Sequence, residues 1–379
     1  MKKKEIETVW LEITSSCNLK CPYCYMDAHD KKNGYTIDQF LIILSFLKSE
    51  CVNTVIFSGG EPCIHPLLSY FIECTAKANI SIGVATNGTC ISNDLFDCFR
   101  ENGVFLQISI DAIRNIEFSK ARGRDLVDIV TQNIKRATSY EIPIALSCTL
   151  SDINCDNIIE VCNFARENNI YTIHFGTLIP TDRCRKNKLS FSRYFEICSQ
   201  LYEYQLQHYL DIRIDIIEEI VSLVSGIEHY PNNNSVYSCN AMAGKNLQFD
   251  CCGNVRQCGM IEPQYQFNFF SSDHIDSSKG QNASDIYNVI QKISATDIPI
   301  CRTCRYISIC RGGCRACAYQ ISGDVYGEMP YCHDIQRLIA KISEDYYHGR
   351  LDEYINYLKI LHKVEGISDS RSVKKLGIY

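Results

Sequence analysis

Six short apolar runs alternate with helix-like segments across the first half of the chain, and this alternation limits the folds open to it. The runs are Ile6 to Thr14, Val52 to Phe57, Ile80 to Ala85, Val104 to Ile110, Ile142 to Leu150 and Ile170 to Phe175. After the first run, Thr36-Ile-Asp-Gln39 forms a capping box. It opens a stretch with Ile37, Phe40, Leu41, Leu44 and Leu47 at helical spacing. Leu67 to Ala78, Asp94 to Arg100, Leu126 to Thr138 and Ile158 to Glu167 read as further helices. Nearly continuous apolar strands with helices between them predict a parallel sheet covered by helices. Six strands are fewer than the eight of a closed barrel. In such α/β architectures chemistry gathers at the C-terminal ends of the strands.

The candidate residues fall at those ends. The first run leads into Cys17-Asn-Leu-Lys-Cys21-Pro-Tyr23-Cys24. Three thiolates in eight residues can wrap one iron–sulfur centre, and they leave one iron of a [4Fe–4S] cluster without a protein ligand. Ser58-Gly59-Gly60-Glu61-Pro62 follows the second run. Its two glycines allow close backbone approach, and its backbone groups can hydrogen-bond an amino-acid head group. Asn87 follows the third run, and Ser109 with Asp111 closes the fourth; turn and cap chemistry is the plainer explanation of these polar residues.

Charge and composition exclude some classes of function. The chain has 379 residues, enough for two or three domains, and a net charge of −6. No basic run extends beyond Lys2 to Lys4, which argues against a nucleic-acid partner. No stretch approaches the roughly 18 apolar residues of a membrane span, and no signal-peptide core follows the N-terminal lysines. The 23 cysteines indicate metal or redox chemistry in a reducing cytoplasm rather than a disulfide scaffold. Cys51, Cys74, Cys90, Cys98, Cys148, Cys155, Cys162, Cys184 and Cys198 are scattered singly and read as small buried hydrophobes.

The second half is organised differently. Residues 190–224 carry an amphipathic helical stripe (Leu206, Leu210, Ile214, Ile217, Ile220, Val221, Val224). The polar stretch Ser225 to Ser238 marks a boundary. Then come Cys239-x13-Gly253-x4-Cys258, a gap, Cys301-x2-Cys304-x5-Cys310-x3-Cys314, and x17 to Cys332. Phe249 to Gln257 alternates around Gly253-Asn254, as a β-hairpin presenting Cys258 would. A zinc ribbon is the competing explanation for residues 301–332, since CxxC pairs suit Zn²⁺ equally well. Ile335 to Leu361 reads as a packing helix pair.

The pattern CxxxCxxC, with an aromatic residue before its last cysteine, resembles the signature of radical S-adenosylmethionine enzymes, and Gly59-Gly60-Glu61-Pro62 resembles their GGEP motif. The seven later cysteines resemble the SPASM extension of that family, found in peptide maturases and anaerobic sulfatase-maturing enzymes. The resemblance implies an open, TIM-like partial (β/α)6 barrel over residues 1–190 and connecting helices and linker over 191–235. A cysteine-rich SPASM domain then spans 236–340, with C-terminal helices and tail over 341–379. It implies that Cys17, Cys21 and Cys24 hold a [4Fe–4S] cluster whose open iron binds S-adenosylmethionine. Cys301, Cys304, Cys310 and Cys332 would hold one auxiliary cluster, and Cys239, Cys258 and Cys314 another. The fourth ligand of the latter would be Cys251 or Cys252, or an open iron that takes substrate; Cys317 reads as structural.

By the same resemblance Ser58, Gly59, Gly60 and Glu61 hold the methionine ammonium, and Asn87, Ser109 and Asp111 reach its carboxylate and the ribose. Arg122 pairs with the carboxylate, Leu178 lies against the adenine and Tyr23 packs by the cofactor. The activity implied is generation of a 5′-deoxyadenosyl radical that oxidatively modifies or cross-links a peptide or protein side chain. A flavodoxin or ferredoxin-type protein would supply electrons. Few residues precede the first strand, so any leader peptide would need a separate carrier protein. Gly259 stands after Cys258, where sulfatase-maturing enzymes have an aspartate base. The rival readings are a radical dehydrogenase of a small molecule, such as an aminoglycoside-type alcohol, and a non-catalytic iron–sulfur electron-transfer protein.

Overall fold

The computed structural model describes residues 6–26, 33–179, 189–227, 236–264, 266–271 and 286–367. Cys184, the polar segment Pro231 to Ser235 and the polar tail after residue 367 lie outside the described residues.

Each of the six apolar runs forms a strand: β1 (Thr8–Thr14), β2 (Thr54–Gly59), β3 (Ser81–Thr86), β4 (Phe105–Ser109), β5 (Ile144–Leu150) and β6 (Thr172–Thr177). All neighbours pair in parallel, in sequence order. The connecting helices are α1 (Ile37–Ser49), α2 (Leu68–Lys77), α3 (Asn93–Glu101), α4 (Asn115–Arg122), α5 (Val127–Ser139) and α6 (Ile158–Glu167). Thr36 and Gln39 make the capping box at the start of α1, each side chain accepting from the other's backbone N–H. Helix α4 has only a weak apolar stripe, with Phe118 and Ala121 buried, and periodicity did not reveal it.

Side chains alternate across each strand. Val9, Leu11 and Ile13 are fully buried under the helices. Trp10 and Glu12 therefore face the other side of the sheet, the barrel interior. Glu12 stands opposite Ser58 of β2, Ser109 opposite Ser147, and Ser147 opposite His174. The inner face is thus polar near the C-terminal ends of the strands, where a ligand needs hydrogen-bonding partners.

The sheet does not stop at six strands. Its order is β7-β6-β5-β4-β3-β2-β1-β8-β9. The predicted stretch 190–224 splits into α7 (Phe191–His208), β7 (Arg213–Ile214) and α8 (Asp215–Ser225). Gln205 fastens the split: its Nε2 donates to Ile212 O at 2.7 Å and its Oε1 accepts from Ile214 N at 2.5 Å. On the other side, β8 (Asn246–Phe249) pairs in parallel with β1, and β9 (Val255–Arg256) folds back antiparallel. The expected hairpin exists, but its strands are shorter than the alternation suggested and it extends the barrel sheet. Beyond it lie α9 (Ile307–Cys310), α10 (Arg315–Ser322), α11 (Cys332–Tyr347) and α12 (Asp352–Ile367), the last two being the expected C-terminal pair.

Candidate functional site

The loop from Cys17 to Cys24 leaves the C-terminal end of β1 and is tied down from three directions. The first tie is the turn after β2. Gly60 N donates to Thr14 O at 2.7 Å, and Glu61 N donates to Ser16 O at 2.9 Å. A Cβ at Gly59, whose φ is +131°, would meet Thr14 O at 2.3 Å, and one at Gly60 would meet Ser16 O at 2.1 Å. Only glycine permits this approach of two backbones.

The second tie comes from the turn after β3. Asn87 Nδ2 donates to Asn18 Oδ1 at 2.9 Å and lies 3.9 Å from Cys17 Sγ. Asn18 Nδ2 donates in turn to Thr89 Oγ1 at 2.7 Å. Glu61 sets this turn. Its carboxylate, with no exposed surface, accepts from Cys63 N at 3.0 Å, Thr86 Oγ1 at 2.5 Å and Asn87 N at 2.7 Å. Burial raises the Glu61 pKa and these donors oppose the rise. The side chain expected on a ligand ammonium therefore joins β2 to β3.

The third tie is the end of α4. The Cys21 thiol donates to Arg122 O at 3.7 Å, and Arg124 Nη1 donates to Asn18 O at 3.0 Å. Gly123 passes so close that a Cβ would meet Lys20 O at 2.5 Å. Arg122 and Asp111, both expected to reach the ligand, engage each other: Arg122 Nε lies 2.6 Å from Asp111 Oδ2. Tyr23 donates its hydroxyl to the same oxygen, and Thr149 N donates to Asp111 Oδ1 at 2.7 Å. Ser58 is buried on the inner face of β2, Ser109 ends β4, and Leu178 is buried after β6, its N–H donating to Leu150 O at 3.1 Å.

The three thiols lie within electrostatic reach of one another. Burial pushes the Cys17 thiol up to about 11 and raises Cys21 as well. Binding iron must displace those protons, which couples metal affinity to pH. The soft donor set, gathered in one loop, fits an iron–sulfur cluster.

Glu12 is an interior group that the sequence reading missed. It is a carboxylate on an otherwise apolar strand, and that mismatch was its only signal. Its Oε1 accepts from the Tyr25 hydroxyl at 3.0 Å and from Gln248 Nε2 of β8. Burial pushes its pKa up to about 7, against the two donors.

The later cysteines form two sets. Cys301, Cys304, Cys310 and Cys332 are mutual electrostatic neighbours. Gln336 Nε2 donates to Cys332 Sγ at 3.3 Å and reaches Cys304 Sγ at 4.0 Å. Cys239, Cys258 and Cys314 are the second set. The reversal between the sets lies in Arg311-Gly312-Gly313, all three at positive φ (51°, 88° and 64°), so Cys310 and Cys314 serve different sets four residues apart. Cys314 is held below the ordinary thiol range by the donating Cys317 thiol and by the N–H groups of Ala316 and Cys317. Among the described residues, no three His, Cys, Asp or Glu side chains close tightly enough around a point to chelate a single ion. The thiols are neighbours rather than a closed chelate.

A parallel α/β sheet with three thiols looped off its first strand is the partial-barrel fold of radical S-adenosylmethionine proteins. Residues 11–191 match the Radical SAM superfamily, so the chain carries a radical SAM domain. It is similar to a cysteine-type anaerobic sulfatase-maturating enzyme of Clostridium novyi, with 22% identity over 80% of this chain and 86% of that enzyme. It is also similar to an AdoMet-dependent heme synthase of Methanosarcina barkeri, with 23% identity over 85% of this chain and 94% of the other. Among solved structures, native anSMEcpe with bound AdoMet superposes with a TM-score of 0.73 at 18% identity, covering 93% of this chain and 100% of that one. Streptococcus suis SuiB bound to its precursor peptide SuiA gives 0.67 at 17% identity, covering 86% and 75%. These structural likenesses are of fold.

Proposed function

We propose that this chain is a cytoplasmic radical S-adenosylmethionine enzyme that oxidatively modifies or cross-links a side chain of a peptide or protein. The observation carrying this reading is the placement of Cys17, Cys21 and Cys24 at the mouth of the parallel sheet, together with two further thiol sets later in the chain. When bound, a [4Fe–4S] cluster with S-adenosylmethionine supplies a 5′-deoxyadenosyl radical that removes a hydrogen atom from substrate. Cys17, Cys21 and Cys24 would hold that cluster, and the sets at Cys301/Cys304/Cys310/Cys332 and Cys239/Cys258/Cys314 would hold two auxiliary clusters.

The chain's own residues bind and orient. Gly59 and Gly60 present backbone groups to the methionine head group. Glu61 holds the Asn87 turn against the cluster loop. The Asp111–Arg122–Tyr23 network fixes the Cys21 end of that loop. Ser109 and Leu178 line the sides of the nucleoside site. Peptide-maturing relatives of the same fold support the substrate class, and a flavodoxin or ferredoxin-type protein is the proposed electron donor.

The test is anaerobic turnover. Dithionite-reduced, reconstituted protein should release 5′-deoxyadenosine in step with a candidate peptide losing two hydrogens, read by mass spectrometry. Cleavage of S-adenosylmethionine that turns over a sugar alcohol and leaves every peptide mass unchanged would overturn the peptide assignment. Zinc in place of iron after anaerobic purification would overturn the cluster assignment.

A further inference from the structure

We propose that Cys317 is the fourth protein ligand of the centre formed with Cys239, Cys258 and Cys314. The inference rests on the auxiliary-cluster reading above and completes its donor set.

Two cysteines looked better placed in the sequence, because Cys251 and Cys252 belong to the same hairpin as Cys258. The fold carries them elsewhere. They sit in the turn after β8, over the C-terminal end of β1. Cys251 is hydrogen-bonded with the Ser15 side chain, and Cys252 Sγ accepts from Asn33 Nδ2 at 3.7 Å. Both therefore face the approach to the first cysteine loop.

Cys317 is brought to the site by helix geometry. Cys314 is the N-cap of α10, and Cys317 is the third residue of that helix. Residues three apart lie on one face, and an N-cap side chain turns back toward the third residue. The Cys317 thiol accordingly donates to Cys314 Sγ. It also lies within electrostatic reach of Cys258, which in turn neighbours Cys239 and Cys314. The four thiols form one connected group.

The charge around them suits a thiolate-held cluster. Arg315 is buried, at 2% exposure, and lies within reach of Cys314 and Cys317 on one side and of Cys301 and Cys310 on the other. Its guanidinium is fixed by four carbonyls: Gly312 O, Gly313 O at 3.4 Å, Val325 O at 3.1 Å and Gly327 O at 2.8 Å. A fixed cation between two sets of thiolates offsets their negative charge. On iron binding, the proton that Cys317 shares with Cys314 Sγ would be released, and both sulfurs would gain iron–sulfur bonds in place of their mutual hydrogen bond. Four cysteine ligands leave no open iron. This centre would therefore carry electrons rather than bind substrate.

The test uses the full-length chain with Cys17, Cys21 and Cys24 changed to Ala, reconstituted anaerobically. This parent should hold about eight irons, four for each of two clusters. Cys317→Ala in that background should either lower the count to about four or keep it while changing one of the two reduced EPR signals. In the second case, added ¹³C-cyanide should bind the opened iron and give a carbon hyperfine coupling that the parent lacks. Restoration of the parent signal by an added small thiolate distinguishes a missing ligand from a misfolded chain. Cys251→Ser with Cys252→Ser should leave iron and spectra unchanged. A Cys317→Ala protein with eight irons, the parent's spectra and no cyanide coupling overturns the assignment. A parent holding only about four irons, or zinc, overturns the two-cluster reading itself, and the inference with it.

Discussion

The two cysteine-bearing regions are built on opposite principles. The first three thiols occupy eight consecutive residues, and the barrel fixes their loop. The turns after β2 and β3 and the end of α4 each bond it. Behind the loop stands the main core, with Phe40, Phe57, Phe71, Phe96, Phe99 and Phe118 fully buried. The later thiols are spread over residues 239–332 and converge through turns, short 3₁₀ segments and left-handed residues. Part of this segment packs into the main core, through Leu247, Phe249, Val255, Phe267, Phe269 and Tyr331, while a small separate cluster has Ala241, Met242, Ile293 and Ile298 at its centre. The small cluster offsets little chain entropy, so under the proposed reading bound metal would supply much of the order of the loops that rest on it. On the proposed reading, fold would precede metal in the barrel, and metal would complete the fold of the thiol-bearing loops in the extension.

The largest expected effect tests that contrast directly. Chelating all iron should speed amide exchange across residues 290–332 while β1 to β6, and β8 paired with β1, stay protected, as read by mass spectrometry. Equal protection in both regions would break the comparison. Next comes the barrel's own support. Glu61→Ala leaves three buried donors without an acceptor and should cost about 4 kcal/mol of stability in a denaturant titration. It should also weaken S-adenosylmethionine binding while iron at the first loop is retained. Glu61→Gln should lose less, since one acceptor oxygen remains.

A smaller effect concerns pH. The Glu12 pKa is raised on folding from the ordinary 4.5 to about 7 by burial. Tyr25, Gln248 and Arg256 pull it down, and Asp250 pushes it up. Its contribution to stability is therefore full below about pH 4.5 and disappears as pH rises through about 7. The change is about 3 kcal/mol. Glu12→Gln should flatten that part of the stability–pH curve and leave the extension's exchange pattern unchanged. The smallest effect belongs to Gln336. Removing its hydrogen bonds to Cys332 and Cys304 with Gln336→Leu should keep the iron count and move only the reduction potential of one auxiliary centre. Lost iron would show that the side chain supports the loop itself.

Legibility in the sequence follows the same division. Strand periodicity located β1 to β6 because each is apolar on its buried face and short. The spacing of Cys17, Cys21 and Cys24 was informative because neighbouring residues in one loop stay neighbours in space. Pairings between distant segments were not legible. Nothing in Asn246 to Phe249 announces that it hydrogen-bonds β1, more than 230 residues away. The carboxylate of Glu61 reads as a ligand group until the fold turns it onto Thr86 and Asn87. Asp111 and Arg122 likewise read as separate contacts, because their separation of eleven residues hides the ion pair. Cys251 and Cys252 looked better placed than Cys317 because hairpin membership is visible in a sequence and helix-cap geometry in three dimensions is not.

The pairing of β8 with β1 has a consequence for how the chain can be divided. Thr8, Val9, Trp10 and Leu11 stand opposite Asn246, Leu247, Gln248 and Phe249. A protein cut after residue 235 would keep every residue of the matched domain and still be incomplete. Its first strand would end the sheet as a bare template of unpaired N–H and C=O groups, the surface through which sheets from separate molecules join. The piece most easily excised on paper is therefore the one expected to precipitate, unless residues 246–249 are supplied to it as a separate strand.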